Sequence, residues 1–133
     1  QDLKGTRPTF TPKWSGTLGA EFDGEIGGGL RWLLRGDMNV TSKANIGGVN
    51  DNNPQTMQDG YALFSARATL FGKDDRWSVS LFGANLSDKG YCTSYAYQPF
   101  GALIGAQAGG RAALRCNVVG TPRTFGVAAS VGF

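Results

Sequence analysis

The chain has 133 residues, the length of one ordinary domain or of part of a larger one. Charged residues make up 17%, and the 13 basic residues are scattered rather than gathered in a stripe, so nucleic-acid binding is not expected. No apolar stretch reaches the roughly 18 residues of a transmembrane helix. A membrane β-barrel is not excluded, because apolar and polar residues alternate along its strands and give them an ordinary mean hydropathy.

Period-two alternation predicts five β-strands, whereas helical periodicity is poor throughout. The first covers residues 14–22 and the second residues 30–40, with the Gly-rich stretch DGEIGGG as the turn between them. The third covers residues 61–71 and the fourth residues 77–85, joined by the polar turn GKDD. The fifth is the ending RTFGVAASVGF, residues 123–133. One face of this fifth strand carries Phe125, Val127, Ala129, Val131 and Phe133.

The connections between these strands alternate in length, short after the first and third strands and long after the second and fourth. Tilted strands of about 9–11 residues cross a bilayer, and outer-membrane barrels combine short periplasmic turns with long extracellular loops. A soluble antiparallel meander also alternates apolar and polar residues, but its links seldom alternate so regularly. The pattern therefore predicts an all-β, antiparallel fold and favours a transmembrane barrel.

The chain offers little chemistry for catalysis or metal binding. It contains no histidine, no GxSxG or HExxH motif and no CxxC pair. Histidine is the commonest general base and metal ligand, and structural zinc sites need closely spaced Cys or His ligands. We therefore expect no enzyme activity, no metal site and no cofactor. The opening QDLKGTRPTFTPKW also lacks the pattern of a signal peptide.

Two stretches resemble the C-terminal strands of TonB-dependent outer-membrane receptors. One is WSVSLFGANLSDKGY, residues 77–91, and the other is the ending GTPRTFGVAASVGF. In that family the penultimate strand typically reads W-x-V-x-L-[FYW]-[GVA]-x-N-L-[TFS]-[DN]-K-x-Y, and the last strand reads G-x-PR-[TS]-[YFW]-G-[VL]-x-x-x-[YVF]-x-F. Upstream, the motif P-x-W at residues 12–14 and the motif YxLFSAR at residues 61–67 also fit, so the resemblance covers nearly the whole chain.

The resemblance implies that residues 1–133 are the C-terminal part of a receptor barrel, with about five of 22 strands. The plug domain and the TonB box are expected to be absent from these residues. Five strands cannot close a barrel, and an open edge in lipid leaves backbone groups unpaired. The rest of the barrel is therefore an expected partner, with detergent or oligomerisation as other ways to cover the edges.

By the same resemblance, the whole protein imports a scarce nutrient, such as a ferric siderophore, cobalamin or a glycan, across the outer membrane of a Gram-negative bacterium. The implied partners are outer-membrane lipid, the plug, the inner-membrane TonB complex, the barrel-assembly machinery and a small-molecule nutrient. This chain would supply barrel wall, extracellular loops and an assembly signal. The alternative from another class is a small structural or adhesion-type β-protein that binds through its Gly-rich loops.

Three sets of residues receive roles from this interpretation. The assembly signal would comprise Thr124, Gly126, Ala129, Val131 and Phe133, with Phe133 alternatively a simple interface anchor. Cys92 and Cys116 flank one predicted extracellular loop, and an oxidising surface favours a disulfide, although two thiols too far apart to bridge stay the alternative. Possible ligand-facing loop residues, which could equally fill the loop's own small core, are Tyr91, Tyr95, Tyr97 and Phe100.

Overall fold

The computed structural model describes residues 7–47, 54–97 and 114–132. The regular secondary structure of these residues is almost entirely β-strand, with two single-turn 3-10 segments at Pro54–Thr56 and Lys73–Asp75. The strands in chain order are β1 (Ser15–Ile26), β2 (Leu30–Thr41), β3 (Ala44–Asn45), β4 (Met57–Gln58), β5 (Tyr61–Phe71), β6 (Trp77–Ala84), β7 (Cys92–Tyr97), β8 (Leu114–Val119) and β9 (Thr124–Val131). The predicted all-β class is confirmed.

The five strands predicted from the sequence form one sheet, in the order β1-β2-β5-β6-β9. Each long strand therefore lies beside its neighbour in sequence, as in a meander. β5 pairs with β6, and β6 pairs with β9, in both cases antiparallel. Within the described residues the sheet is open, with β1 and β9 as its two edge strands.

The chain divides into two compact units. The sheet unit comprises Gly16–Val40, Ala62–Lys89 and Thr121–Phe133, and the loop unit comprises Gln1–Ser15, Thr41–Tyr61 and Gly90–Gly120. The loop unit contains the two small antiparallel pairings that alternation did not predict, β3 with β4 and β7 with β8. The two-residue strands β3 and β4 are too short for a period-two signal, and the pairing of β7 with β8 is irregular between Cys92 and Tyr95.

The turn between β1 and β2 is shorter than expected. β1 continues to Ile26, so that Asp23, which was assigned to the turn, lies in the strand. The Trp32 indole on β2 covers Gly24, where an added Cβ would lie 2.8 Å from the ring. The chain reverses at Gly28 and Gly29, whose φ angles of 82° and 81° are those a primed hairpin turn demands and only glycine adopts freely.

The turn between β5 and β6 is held by Gly72 and Trp77. The Gly72 N–H donates to the Trp77 carbonyl at 2.8 Å, and the Trp77 indole lies against the Gly72 Cα. Gly72 is buried, and its φ of −77° is open to any residue. A side chain at this position is therefore excluded by space rather than by backbone conformation.

Substituting Gly72→Ala should destabilise the sheet by about 2 kcal/mol, because the added methyl group overlaps the indole of Trp77. The urea midpoint of the detergent-solubilised chain, followed by tryptophan fluorescence, measures this loss. Gly36→Ala is the matched control, since nothing lies within 4 Å of a Cβ there. An equal loss in both variants would show that the loss comes from replacing a glycine in the sheet unit and not from the contact with Trp77.

The loop unit buries hydrophobic side chains as well as the polar Asn45 and Thr56, whereas the sheet unit buries polar side chains. Among the described residues, the buried hydrophobic side chains are Ala44, Ile46 and Cys92, all in the loop unit. In the sheet unit the buried side chains of the described residues are the polar Thr69, Ser80 and Asn85. No helix of the described segments is long and apolar enough to span a membrane.

Candidate functional site

The last strand, β9, is positioned by eight successive Cα pairings with β6, from Trp77↔Val131 to Ala84↔Thr124. The pairings Leu81↔Val127 and Gly83↔Phe125 place the apolar residues of β9 on the same face as those of β6. Of the predicted assembly-signal residues, Ala129 and Val131 share this face, and Thr124 and Gly126 lie on the other. Phe133 lies outside the described residues.

The apolar face continues across the whole sheet and is uncovered. Fractional exposures on β9 are 68% for Phe125, 69% for Val127 and 64% for Val131. Other large exposed side chains of this face are Leu18, Phe22, Ile26, Leu34, Phe64, Trp77, Val79 and Leu81. A depression of about 380 Å³ is walled in part by Phe22, Leu34, Leu81 and Phe125. Soluble monomers rarely leave so large an apolar surface open.

The opposite face of the sheet carries charged residues. Arg35 approaches Asp37 at 3.1 Å and Glu21 at 4.0 Å. Arg31 pairs with Asp75 at 3.1 Å. Because these groups are substantially exposed, each pair contributes little to stability, and the face is suited to contact with water.

Aromatic rings and hydroxyl groups complete the charged face. The Arg31 guanidinium lies 4.1 Å from the Phe71 ring centroid, and the Arg67 guanidinium lies 4.9 Å from that of Phe82. Between β5 and β6, the buried hydroxyls of Thr69 and Ser80 hydrogen bond at 2.8 Å. The charged face thus contains buried hydroxyl groups as well as exposed ion pairs, whereas large hydrocarbon side chains are exposed on the other face.

Asn85 clamps the segment that leads from β6 to β9. Its side-chain Nδ2 donates to the carbonyls of Lys89 and Thr121, each at 3.0 Å, and its Oδ1 accepts the Lys89 N–H at 2.9 Å. Asn85 is 6% exposed and has a φ of 48°, a left-handed conformation that asparagine tolerates better than most residues. Asp88 reinforces the clamp, because its Oδ1 accepts the Arg123 N–H at 3.2 Å.

The loop unit is built around a disulfide between Cys92 and Cys116, whose Cα atoms are 5.8 Å apart. The expected bond is therefore present. It joins β7 to β8 and packs with the buried Ala44 and Ile46. The Tyr95 N–H donates to the Ile46 carbonyl at 2.9 Å, which ties β7 to the segment after β3.

The predicted ligand-facing residues have different surroundings. The Tyr91 ring stacks on Tyr61, with centroids 4.5 Å apart, and also lies against the Cα of Gly120. Tyr95 packs partly against the small core of the loop unit. Tyr97 is the last residue of β7, and Phe100 lies outside the described residues. A ligand-contacting role for this set stays a prediction.

A second depression, of about 170 Å³, lies within the loop unit. Its lining mixes apolar and polar side chains, among them Phe10, Ile46, Tyr61, Gln58 and Thr93. The Gln58 Oε1 accepts a hydrogen bond from the Cys92 N–H at 3.0 Å, so this polar group has a partner within the chain. The depression is of a size for a group of a few heavy atoms.

Breaking the disulfide should loosen the loop unit selectively. Removing a cross-link between residues 24 positions apart releases about 3 kcal/mol of chain entropy to the unfolded state. In Cys92→Ser/Cys116→Ser, hydrogen exchange at the Tyr95 amide should accelerate, whereas amides between β6 and β9 keep their protection. Adding reductant should reproduce this in the native chain and change nothing further in the double variant. Unchanged Tyr95 exchange would contradict the prediction.

Two structural roles were not predicted from sequence. Asn85 stands in the quoted stretch NLSDKG, and an asparagine beside Asp and Gly does indicate a turn, but not which carbonyls it binds. The contact between Phe82 and Gly126 needs the strand register before it can be seen.

Comparison of the chain with protein-family models, with curated proteins and with solved structures gave no match.

Proposed function

We propose that this chain forms part of the wall of a transmembrane β-barrel of the TonB-dependent receptor type. The observation that carries the proposal is the uncovered apolar face of the sheet, on which Phe125, Val127 and Val131 are about two-thirds exposed. The receptor-like sequence of residues 77–91 and of the ending supports it independently.

Lipid accounts for both faces of the sheet at once. Hydrocarbon exposed to water costs about 1.5–3 kcal/mol for each large aliphatic or aromatic side chain that a soluble fold would bury. A bilayer covers these side chains without a second layer of protein, while Arg31, Arg35 and Arg67 face a water-filled lumen. Strands of 11 or 12 residues, as in β1, β2 and β5, are long enough to cross when tilted.

In this proposal the whole receptor takes up a scarce nutrient through the outer membrane, and energy from the TonB complex rearranges its plug. The present residues supply wall, extracellular loops and the strand that the barrel-assembly machinery recognises. The outer edge of β9 then pairs with another strand of the barrel, which satisfies its backbone groups.

Adjacent cysteines on β9 test the lipid contact directly. Val127→Cys and Ala128→Cys lie side by side on opposite faces of the sheet, and the native cysteines are bonded to each other. Each variant is labelled with an environment-sensitive dye and reconstituted in vesicles that contain nitroxide lipids. The label at position 127 should be blue-shifted and strongly quenched, and the label at position 128 should not.

Two results would refute the proposal. One is equal quenching at both positions, which would mean that the two faces of β9 meet the same surroundings. The other is a soluble, monodisperse monomer that ignores vesicles, which would favour the small adhesion-type protein instead.

A further inference from the structure

Phe82 is the one large side chain that β6 places on the polar face of the sheet. Its neighbours on the same face of β9 are small, namely Thr124, Gly126 and Ala128. The ring lies directly against Gly126, its Cα partner, where an added Cβ would come within 2.7 Å of the ring carbon Cε2. Gly126 thus provides the space into which the ring fits.

The ring is also held from the other neighbouring strand. Arg67 on β5 is the Cα partner of Phe82, and its guanidinium lies 4.9 Å from the ring centroid. Arg67 takes part in none of the ion pairs within the described part of the chain. Turning the ring away from Gly126 would therefore cost the contact with the cation.

The apolar pattern of β9 does not by itself fix its register on β6. A shift by one residue would exchange the two faces and is excluded by hydrophobicity. A shift by two residues keeps Phe125, Val127, Ala129 and Val131 on the apolar face. Because all four side chains are apolar, hydrophobicity does not reject this shift. Some other feature must therefore reject the two-residue shift.

We propose that Phe82 and Gly126 form a socket that selects the register in which β9 joins the sheet. A shift by two residues in either direction would bring Thr124 or Ala128 opposite Phe82, and each has a Cβ where the ring now lies. Phe82 and Gly126 are therefore positioning residues for the last strand. The inference goes beyond the proposed function, because it holds whether lipid or another partner covers the apolar face.

The Asn85 clamp is the competing explanation for the register. It holds the Thr121 carbonyl and, through Asp88, the Arg123 N–H just before β9 begins. A tether at the entry of the strand and a socket in its middle make different predictions, since only the socket requires a coupling between positions 82 and 126.

Engineered cysteine pairs report the register in the full chain, refolded in detergent and oxidised. Leu81→Cys with Val127→Cys reports the native register, because these residues are Cα partners, and Leu81→Cys with Ala129→Cys reports a two-residue shift. Cross-linked peptides are quantified by mass spectrometry, which separates them from the native Cys92–Cys116 pair. The native chain should form almost only the first cross-link.

Gly126→Ala should lower the ratio of native to shifted cross-links by roughly tenfold, from the steric overlap with the ring. Phe82→Ala alone should lower the ratio as well, because the ring that rejects the shifted registers is then gone. Adding Gly126→Ala to Phe82→Ala should lower the ratio no further, since the methyl group then meets no ring. Ala128→Val is the matched control, because it adds bulk to the same face of β9 away from Gly126, and it should leave the ratio near the native value.

Phe82→Ala decides the matter even if Gly126→Ala fails to fold. A lowered ratio in Phe82→Ala, together with a double variant that folds and has the same ratio, supports the socket. A native ratio without the ring, or a loss from Gly126→Ala that is as large without the ring as with it, overturns the socket and leaves the Asn85 clamp as the source of the register.

Discussion

Val127→Arg should prevent stable insertion of the sheet into a bilayer, whereas Ala128→Arg should be tolerated. Val127 lies in the middle of β9 on the apolar face, 69% exposed, and its neighbour Ala128 lies on the charged face. An arginine that faces lipid near the bilayer midplane costs about 2–4 kcal/mol, and one that faces a lumen costs almost nothing. The two variants add the same charge and differ only in which of two adjacent positions carries it.

The measurement is the urea midpoint for unfolding out of lipid vesicles, combined with the fraction of chain that floats with the vesicles. We expect the Val127→Arg chain to float poorly and to unfold at clearly lower urea than the native chain, and the Ala128→Arg chain to follow the native one. Equal losses in the two variants would mean that β9 has no lipid-facing side, which would remove the main support for a barrel wall.

Alternation located the five long strands because each of them has two chemically different faces. In β6 and β9 the predicted apolar face agrees with the observed pairing, from Trp77↔Val131 to Gly83↔Phe125. The period-two signal is reliable when one face meets hydrocarbon and the other meets charge. The disulfide was also expected, although only the structure shows that Cys92 and Cys116 lie on neighbouring strands.

The missed features are those in which a local signal was weak or ambiguous. Asp23 and Gly24 are typical turn residues, but both lie in β1. β1 is an edge strand, so the Asp23 carboxylate is exposed to solvent, and Gly24 leaves room for the Trp32 ring. Gly126 is a similar case. It was predicted to be part of the assembly signal, and only the structure shows that the Phe82 ring lies against it. A glycine in a strand acquires its meaning from the neighbouring strand, and this is set by register rather than by local sequence.

The sheet unit reverses the usual arrangement of a folded domain. Its buried side chains, Thr69, Ser80 and Asn85, are polar and hydrogen bonded, and none of the large hydrophobic side chains in its described residues is buried. Removing a buried polar side chain whose partners stay behind costs more than the bond itself contributed. We therefore expect the most sensitive single position in this unit to be an amide rather than a large aliphatic residue.

Asn85→Ala should destabilise the sheet unit by about 4 kcal/mol, because three backbone groups lose their partner together. The Lys89 N–H, the Lys89 carbonyl and the Thr121 carbonyl all bond to this one side chain. Alanine is also poorly suited to the φ of 48° that Asn85 adopts. Ser87→Ala, an exposed change in the same turn, is the matched control and should have little effect.

Asn85→Gly separates the two causes, since glycine adopts the left-handed conformation freely but makes none of the three side-chain hydrogen bonds. Its loss should fall between those of the alanine variant and the native chain. Urea midpoints give the free energies, and hydrogen exchange at the Lys89 amide reports the clamp itself. If Asn85→Ala protects that amide as well as the native chain does, the clamp does not depend on Asn85. If the amide opens while β9 keeps its protection, the clamp orders the turn but does not hold the last strand in the sheet.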